Sequence, residues 1–209
     1  MQDGTKKDPA GKKARGRPRA YDPDLALQQA TDVFWKAGYA GTSLDDIAAA
    51  TGMNRPSLRA AFGDKHAIYL KALGAYWERK FDAMRGALDS GRPLARTLMD
   101  VYDVALSIYF SGDEHARGCF VVGTAVTEAV DDPDVRAIVG AGFRKFDADF
   151  EARLRLARDA GELKADADIE ALALMASATL HTIAIRSRAG SSRDEMRMLA
   201  RKAVSVICG

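Results

Sequence analysis

The stretch spanning residues 42–62, TSLDDIAAATGMNRPSLRAAF, constrains the fold of this chain more than any other. Ser43 is a good N-cap for a helix with apolar residues at helical spacing, and Gly52 stands where a helix end favours positive φ. Asn54 can cap a second short helix, with Pro56 in its first turn, where a missing N–H costs nothing. Because a helix of about eight residues is unstable alone in water, both helices must pack on other elements.

The second of these helices has two different sides. Leu58 and Phe62 lie four residues apart, so both can pack back on the first helix. The other side carries residues that are free to contact something else: Arg55, Ser57, Arg59 and Ala60. Two short helices in this arrangement form a helix-turn-helix, whose second helix enters the major groove of DNA. The stretch therefore predicts DNA binding.

Length and composition set the class of protein. A chain of 209 residues is long enough for one large core or two small ones. Its 47 % hydrophobic and 29 % charged content is typical of a soluble helical protein. No run approaches the ~20 apolar residues of a membrane span, and the N-terminus does not resemble a signal peptide. We therefore expect a cytoplasmic protein.

The reactive side chains do not form a catalytic or metal-binding pattern. Two cysteines, Cys119 and Cys208, cannot make a disulfide framework, and the three histidines, His66, His115 and His181, are widely spaced. An enzyme built on a helical bundle is a competing class, but the chain has no Ser/His/Asp arrangement, Glu-x-x-His pair or phosphate-binding loop. We expect no metal ion, no other cofactor and no enzymatic activity.

Residues 1–20 form a basic arm. They hold seven basic and two acidic residues and no large apolar side chain after Met1, so we expect them to be disordered in the free protein. Residues 16–19, Gly-Arg-Pro-Arg, resemble the core of an AT-hook, in which arginines enter a narrow A·T minor groove. Arg17 and Arg19 are then the DNA contacts. The alternative is a solvated tail without such a role.

Helical patterns fill the rest of the chain. A helix is predicted from residue 22 to about residue 37, and the pattern beginning at Lys65 continues for about six or seven turns. Further helices are predicted to follow Pro93, Gly118, Pro133, Asp168 and Ser192. Since no alternating strand pattern appears, the predicted fold class is all-α. The predicted organisation is the arm (1–20), a helix-turn-helix domain (21–66) and a second helical domain (67–209).

The last two predicted helices, residues 168–190 and 192–207, suggest self-association. The first is apolar on more than one face and must be covered on both. We expect the two helices to pair with their copies as a four-helix bundle across a two-fold axis. The alternative is that they only fill the core of one chain. A dimer also suits a helix-turn-helix, because one short recognition helix reads few base pairs.

The chain resembles the TetR family of bacterial transcriptional regulators. The likeness rests on residues 38–65 and weakly on Arg117-Gly118-Cys119-Phe120. Within the first segment the matching elements are Gly38-Tyr39-x-x-Thr42-Ser43, Asp46-Ile47-Ala48, Gly52-Met53-Asn54-Arg55-Pro56-Ser57-Leu58, Phe62 and Lys65. The resemblance implies a nine-helix homodimer in which three N-terminal helices bind DNA and a linking fourth helix leads to a ligand-binding and dimerisation domain.

The resemblance also implies roles for individual residues. Thr42 and Ser43 would hold a phosphate, and Lys65 would bind another. The full set of expected DNA contacts is Arg17, Arg19, Thr42, Ser43, Asn54, Arg55, Pro56, Ser57, Arg59, Ala60 and Lys65. Where the family usually has an aromatic residue and then a histidine before the final phenylalanine, this chain has Arg59-Ala60-Ala61. Arg59 would then take over a phosphate contact, and Ala60 would face an apolar base edge such as a thymine methyl.

A ligand-controlled regulator needs a pocket, and the resemblance places it among the fourth to eighth helices. A small molecule would shift the dimer from DNA-bound to released by binding the two states differently. The expected lining residues are Tyr76, Trp77, Phe81, Tyr102, Tyr109, Phe120, Phe143, Phe146 and His181. Such a cavity favours an apolar or planar ligand. The alternative for these aromatic residues is ordinary core packing.

Two alternatives to ligand control remain open. Cys119 lies near a predicted helix start after Arg117, a setting that favours reaction of a thiol with electrophiles or oxidants. The competing interpretation is a small buried apolar residue. The other alternative is an architectural DNA binder, in which the basic arm dominates and no ligand acts.

Overall fold

The computed structural model describes residues 21–111 and 115–209. The basic arm, with Arg17 and Arg19, lies outside the described residues, so its predicted disorder and minor-groove contacts stay predictions.

Four helices build the N-terminal part of the molecule. They are α1 (Pro23–Ala37), α2 (Leu44–Thr51), α3 (Arg55–Phe62) and α4 (Lys65–Leu88). Each begins at a residue whose side chain accepts hydrogen bonds from backbone N–H groups in the first turn, namely Asp22, Ser43, Asn54 and Asp64. α4 runs unbroken for 24 residues, so one rigid element leaves the helix-turn-helix and enters the second part of the chain.

The second part continues with α5 (Leu94–Tyr109). A π-helical turn, Val121–Ala125, then runs into the short α6 (Val126–Glu128). The three longer helices are α7 (Pro133–Asp159), α8 (Ile169–Arg188) and α9 (Arg193–Cys208). Within the described ranges the regular structure is these nine α-helices and the π-helical turn, which confirms the all-α prediction.

Helix α8 corrects one expectation from the sequence. By length and composition alone it could span a membrane, although we expected no such run. In the structure it packs against α5, α7 and α9, and its buried residues include Ala176, Leu180 and Ile183. A helix covered on several sides by other helices must be apolar on those sides, and the core helix of a soluble protein passes the same test.

One continuous hydrophobic core joins the two parts. Phe34 of α1 meets Tyr69 of α4 with ring centroids 4.9 Å apart, and Trp35 of α1 meets Tyr76 of α4 at 5.2 Å. Further along α4, Trp77 packs on α7. Helix α4 thus packs its aromatic rings on α1 at one end and on α7 at the other. Because protein cores are closely packed, a displacement of α4 by the second part would also displace α1.

Candidate nucleic-acid interface and internal pocket

The turn between α2 and α3 follows from local capping chemistry. The Ser43 hydroxyl accepts from the Asp46 backbone N–H, and the Asp46 carboxylate accepts from the Ser43 N–H, which makes a capping box. Gly52 ends α2 with φ of 64°, a left-handed conformation that favours glycine. The Asn54 side chain then accepts from the Ser57 N–H at 2.9 Å and starts α3. These caps confirm the predicted helix-turn-helix.

Helix α3 presents one polar surface to solvent. Leu58 and Phe62 are buried against the core, as the spacing predicts. The residues expected to contact DNA from this region are exposed: Ser43, Asn54, Arg55, Pro56, Ser57, Arg59 and Ala60. This set is called the α3 surface below.

The two arginines of the α3 surface differ in their partners. Arg55 pairs with Asp45 of α2 through two N–H groups, and these hydrogen bonds hold the pKa of the Asp45 carboxyl below its ordinary value. Arg59 makes no ion pair with any residue that the structure describes. The positive charge of Arg59 is thus available to a phosphate or base, whereas the charge of Arg55 is partly neutralised by the Asp45 carboxylate.

Thr42 and Lys65 are turned inward. Thr42 is 2 % exposed and its hydroxyl donates to the Gly38 carbonyl at 2.7 Å, so this side chain is not presented to a phosphate. The Lys65 ammonium donates to the carbonyls of Tyr39 and Thr42 at 3.1 and 3.0 Å. In this arrangement Lys65 stabilises the loop before α2 by these two hydrogen bonds. The resemblance alone did not indicate this structural role. A phosphate contact of Lys65 stays a prediction.

A polar contact ties the start of α4 to the start of α7. His66 Nε2 lies 2.7 Å from a carboxylate oxygen of Asp132, whose other oxygen accepts from the Asp134 and Val135 N–H groups. These contacts hold the pKa of Asp132 below its ordinary value, the Val135 N–H having the largest effect. With Asp134 the group resembles a metal site, since its ligand-type atoms lie within 4.8 Å of one another. The carboxylate of Asp132 is already engaged in a helix cap and a histidine contact.

A second contact ties α1 to the segment before the π-helical turn. Trp35 Nε1 donates to the Arg117 carbonyl at 3.1 Å, and the Arg117 guanidinium lies 4.1 Å above the Trp35 ring. Arg117 also pairs with Asp32 of α1 at 2.6 Å. The sequence did not predict this role of Trp35, because its hydrogen-bond partner lies 82 positions away and no local pattern indicates the contact.

The structure brings most of the expected pocket residues into one aromatic cluster. The rings of Tyr76, Trp77, Phe81, Phe120, Phe143 and Phe146 are linked by centroid distances of 4.8–6.4 Å, with His181 on Phe143. Tyr109 joins through Lys80, described next. Tyr102 forms no ring pair with this cluster within the described residues; its hydroxyl donates to the Ala176 carbonyl at 3.1 Å, between α5 and α8. The structure thus places Tyr102 apart from the other expected lining residues.

Lys80 is the unexpected member of this cluster. Its side chain is 2 % exposed, and its ammonium lies 3.6 Å from the Cys119 sulfur. The Tyr76 hydroxyl donates to the same sulfur at 3.2 Å. The sequence did hold a signal, since Lys80 stands three residues after Trp77 and four before Met84, on the apolar stripe of α4.

Burial changes the acid–base behaviour of the groups in this cluster. Loss of solvent lowers the pKa of Lys80 and raises that of Tyr76 and Tyr109 well above its ordinary value. For His181, burial and then the charge of Lys80 lower the pKa to about 4, so its imidazole is neutral at pH 7. The cluster is therefore apolar in its walls and holds one buried basic group.

A cleft leads from the surface to Cys119. Its volume is about 290 Å³, and its lining consists of Cys119, Val122, Gly123, Ala184, Ile185, Arg188 and Ala189. Cys119 is 2 % exposed, as expected for the buried alternative, and it separates the cleft from Lys80. The cleft thus reaches the sulfur that contacts Lys80, a feature that the sequence did not indicate, and the aromatic residues of the cluster are not part of its lining.

Comparisons with known proteins bear on both regions. The family model described as "Bacterial regulatory proteins, tetR family" matches residues 26–72. The model described as "Tetracyclin repressor-like, C-terminal domain" matches residues 93–203. The chain is 27 % identical over 189 residues to the HTH-type transcriptional repressor ComR of Escherichia coli, covering 90 % of each. It is 31 % identical over 194 residues to the HTH-type transcriptional repressor Rv3405c of Mycobacterium tuberculosis, covering 87 % of this chain and 86 % of the relative.

A solved structure extends this similarity to the fold. A cysteine-substituted form of the TetR family regulator CifR, complexed with 26-base-pair operator DNA, is 32 % identical to this chain. The match covers 91 % of this chain and 98 % of CifR with a TM-score of 0.78. The helix-turn-helix, the linking α4 and the second helical part are all included in these matches. The chain belongs to the TetR family of transcriptional regulators.

Proposed function

We propose that the protein is a cytoplasmic transcriptional repressor that binds a palindromic operator as a homodimer and releases it when a small molecule binds inside its second part. The observation that carries the proposal is the α3 surface, an exposed recognition-helix face on which Arg59 makes no ion pair with any described residue. The solved operator complex of CifR, which is similar over nearly its whole length, supports operator DNA as the partner. The proposed division is an arm (1–20), a DNA-binding domain (21–66) and an effector and dimerisation domain (67–209).

Substitutions on the α3 surface test the DNA contact. Arg59→Ala should weaken binding to the operator by about tenfold or more, because an arginine contact to DNA contributes about 1–3 kcal/mol. Arg55→Ala should also weaken binding, but only the position that reads a base should relax the sequence preference. A gel shift with DNA from the protein's own promoter and with scrambled duplexes measures both quantities.

A matched control is Arg79→Ala, which removes an exposed arginine of α4 about 21 Å along that helix from Lys65. Its operator affinity should equal that of the parent. If Arg55→Ala and Arg59→Ala also bind as the parent does, the recognition helix has no part in binding. Equal affinity of the parent for every duplex would instead favour the architectural DNA binder.

Exposed apolar side chains support the proposed dimer surface. Leu174, Met175 and Ile185 stand out from α8, and Met198 and Val206 from α9, with 43–64 % of each residue exposed. Apolar residues spaced this way on two adjacent helices are suited to burial against a second copy.

A charge on α8 tests this surface. Leu174→Glu should weaken the dimer by about tenfold or more, because two-fold symmetry places two carboxylates in one apolar interface. Analytical ultracentrifugation over a range of concentrations measures the dissociation constant. Leu156→Glu on α7 is the matched control: Leu156 is 66 % exposed against 51 % for Leu174, and the dimer should be unchanged. A parent that sediments as a monomer would exclude the proposed interface.

Release of DNA requires a connection from the pocket to the helix-turn-helix. The Trp35–Arg117–Asp32 contacts join α1 to the segment that carries Cys119, and His66–Asp132 joins α4 to α7. A ligand that displaces the segment before the π-helical turn would therefore move α1 against α4. The ligand-free and ligand-bound dimers would bind DNA with different affinities if this movement changes the spacing between their two α3 surfaces.

Thiol sensing through Cys119 is the second candidate function. The observation that favours it is the pair of polar groups, the Tyr76 hydroxyl and the Lys80 ammonium, that lie 3.2 and 3.6 Å from the sulfur. We expect diamide to release operator DNA from the parent protein and from Cys208→Ser, but not from Cys119→Ser. A gel shift with and without reductant measures this release. If diamide releases DNA equally from Cys119→Ser, Cys119 is not the sensing thiol.

A further inference from the structure

We propose that the effector is a small apolar acid whose carboxylate binds Lys80. This inference rests on the proposed effector control and specifies the chemistry of the same pocket.

Among the residues that the structure describes, Lys80 has no carboxylate as a counter-ion. Its side chain is 2 % exposed, and within the described residues no carboxylate lies in ion-pair distance of its ammonium. Its polar contact is the Cys119 sulfur at 3.6 Å, and sulfur is a weak acceptor. A buried ammonium is unfavourable unless it is paired and hydrogen-bonded, so the site is incomplete as it stands.

The tyrosine hydroxyls beside Lys80 are donors that meet no strong acceptor within the described residues. The Tyr109 hydroxyl is buried and forms no hydrogen bond of ordinary geometry among the described residues, although the nearby Cys119 sulfur contributes, after burial, to its raised pKa. Trp77 Nε1 is likewise buried without a partner there, but it faces Gly142 of α7. The Tyr76 hydroxyl already donates to the Cys119 sulfur. A ligand that satisfies such a site must supply acceptor atoms, and a carboxylate supplies two oxygens with about four lone-pair positions. A neutral donor-rich ligand would leave the same groups unsatisfied.

The walls around Lys80 favour an apolar body on that ligand. The ammonium lies 4.7 Å from the ring centre of Phe146, 5.4 Å from Trp77, 5.5 Å from Tyr109 and 6.0 Å from Tyr76. Ring faces attract a cation and also pack against hydrocarbon. An acid with an aromatic or short aliphatic body fits both properties.

The cleft beside Cys119 supplies an entrance with the same charge preference. Arg188 lines it, and one of its guanidinium nitrogens lies 3.5 Å from the Trp35 carbonyl and 3.4 Å from the Arg117 carbonyl. No carboxylate pairs with Arg188 in the part of the chain that the structure describes. A cation at the entrance and a cation behind Cys119 would both attract an anion.

The backbone of this cleft includes a rare helical geometry. Val122 and Gly123 of the cleft belong to the π-helical turn, Val121–Ala125, a rare geometry that is frequent at functional sites. A carboxylate that reaches Lys80 would take over its contact with Cys119. The segment that holds Cys119 also carries Arg117, so the contacts to α1 would shift with it.

The test compares acids with their neutral amides. The chain has two tryptophans, Trp35 and Trp77, and both lie in this region, so their fluorescence reports on the pocket. Benzoate, phenylacetate and hexanoate are titrated into the full-length protein beside benzamide, phenylacetamide and hexanamide. At least one acid should bind the parent about tenfold or more tightly than its amide, as expected for a hydrogen-bonded charge.

Two variants assign that selectivity to Lys80. Lys80→Met replaces lysine by an unbranched apolar side chain one atom shorter, and it should abolish the preference for the acid while leaving the weak amide binding unchanged. Lys145→Met is the matched control, since Lys145 also lies over Phe81 at 4.9 Å but pairs with Asp149 on the surface. It should keep the parent's selectivity. The comparison of acid with amide needs only the parent, so it can still overturn the proposal if Lys80→Met does not fold.

Three results would overturn the proposal: equal binding of acids and amides by the parent, no saturable binding of any acid, or full acid selectivity in Lys80→Met. In the first two cases a neutral effector or a bound water would be the better explanation of the donors around Lys80. In the third case the acid binds another cation, such as Arg188. The operator gel shift, run on the same preparation, separates this failure from that of the proposed function. A parent that binds its operator but shows no acid selectivity loses only the present inference.

Discussion

Gly142→Ala is expected to lower the free energy of unfolding by about 1–3 kcal/mol, the usual cost of overpacking a core. A Cβ atom at this buried position of α7 would lie 2.1 Å from Cε2 and 2.3 Å from Cζ2 of Trp77. These are atoms of a rigid ring that is itself held by Phe81 and Phe146. The ring or the helix must therefore move, against a gain in helix propensity of up to about 1 kcal/mol. Urea unfolding followed by circular dichroism measures the change.

Gly140→Ala is the matched control in the same helix. The nearest atom to its Cβ is a guanidinium nitrogen of Arg144 at 3.2 Å, the end of a flexible side chain. Relief of the glycine's backbone entropy should raise stability by about 0.5–1 kcal/mol. Opposite signs for two alanines placed two residues apart would show that contact with Trp77, and not helix propensity, decides the effect. A stabilised Gly142→Ala variant would show that the ring is free to move.

Lys80→Met is expected to raise the free energy of unfolding by about 1–4 kcal/mol at pH 7, the range seen when buried ion pairs are replaced by well-packed apolar residues of similar volume. Burial lowers the pKa of Lys80 from its ordinary value of 10.5, so the folded protein holds this proton less tightly than the unfolded chain does. The penalty is complete below the folded-state pKa and disappears as the pH rises to about 10.5. The advantage of methionine over lysine should shrink over the same range.

Urea unfolding of both proteins, at one protein concentration and at several pH values, measures this difference. Other titratable groups near the ammonium are Cys119, Tyr76, Tyr109 and His181, and they are common to both proteins. Lys145→Met, an exposed lysine in a surface ion pair, should change stability by less than about 1 kcal/mol at every pH. If Lys80→Met is destabilised at pH 7, the thiol or another group already neutralises the lysine.

A lysine kept in an apolar site at a cost in stability fits a functional role better than a structural one. The same substitution is expected to stabilise the fold and to remove acid selectivity. These two effects are measured independently, since unfolding is followed without ligand and selectivity is followed on the folded protein.

Features that depend on neighbours within about four residues were predictable. Ser43 and Asp46, Asn54 and Ser57, and Ser192 and Glu195 form caps because the side chain and the backbone groups that it satisfies are close along the chain. The turn at Gly52 follows from its tolerance of positive φ. For the same reason the helical patterns predicted the order of the helices well, and the buried side of α3 was identified before its partners were known.

Features that depend on distant partners were not predictable. The sequence shows that Lys80 lies on an apolar stripe, but only packing decides that its ammonium ends at Cys119 instead of reaching solvent. Tyr102 is an aromatic residue of the kind that lines pockets. It lies between α5 and α8 instead, because the rotation of α5 about its axis turns this side chain toward Ala176. Gly142 reads as an ordinary helical glycine until Trp77 is placed against it.

The sequence by itself therefore determined an all-α chain of nine helices with a helix-turn-helix, because caps, turns and apolar periodicity are set by adjacent residues. The tertiary structure alone decided which polar groups are buried together, since Lys80, Tyr109 and Cys119 come from three separate segments. It also decided that Thr42 and Lys65 point inward, through hydrogen bonds that close the loop before α2. The pocket's charge preference follows from those contacts, which no local pattern in the chain encodes.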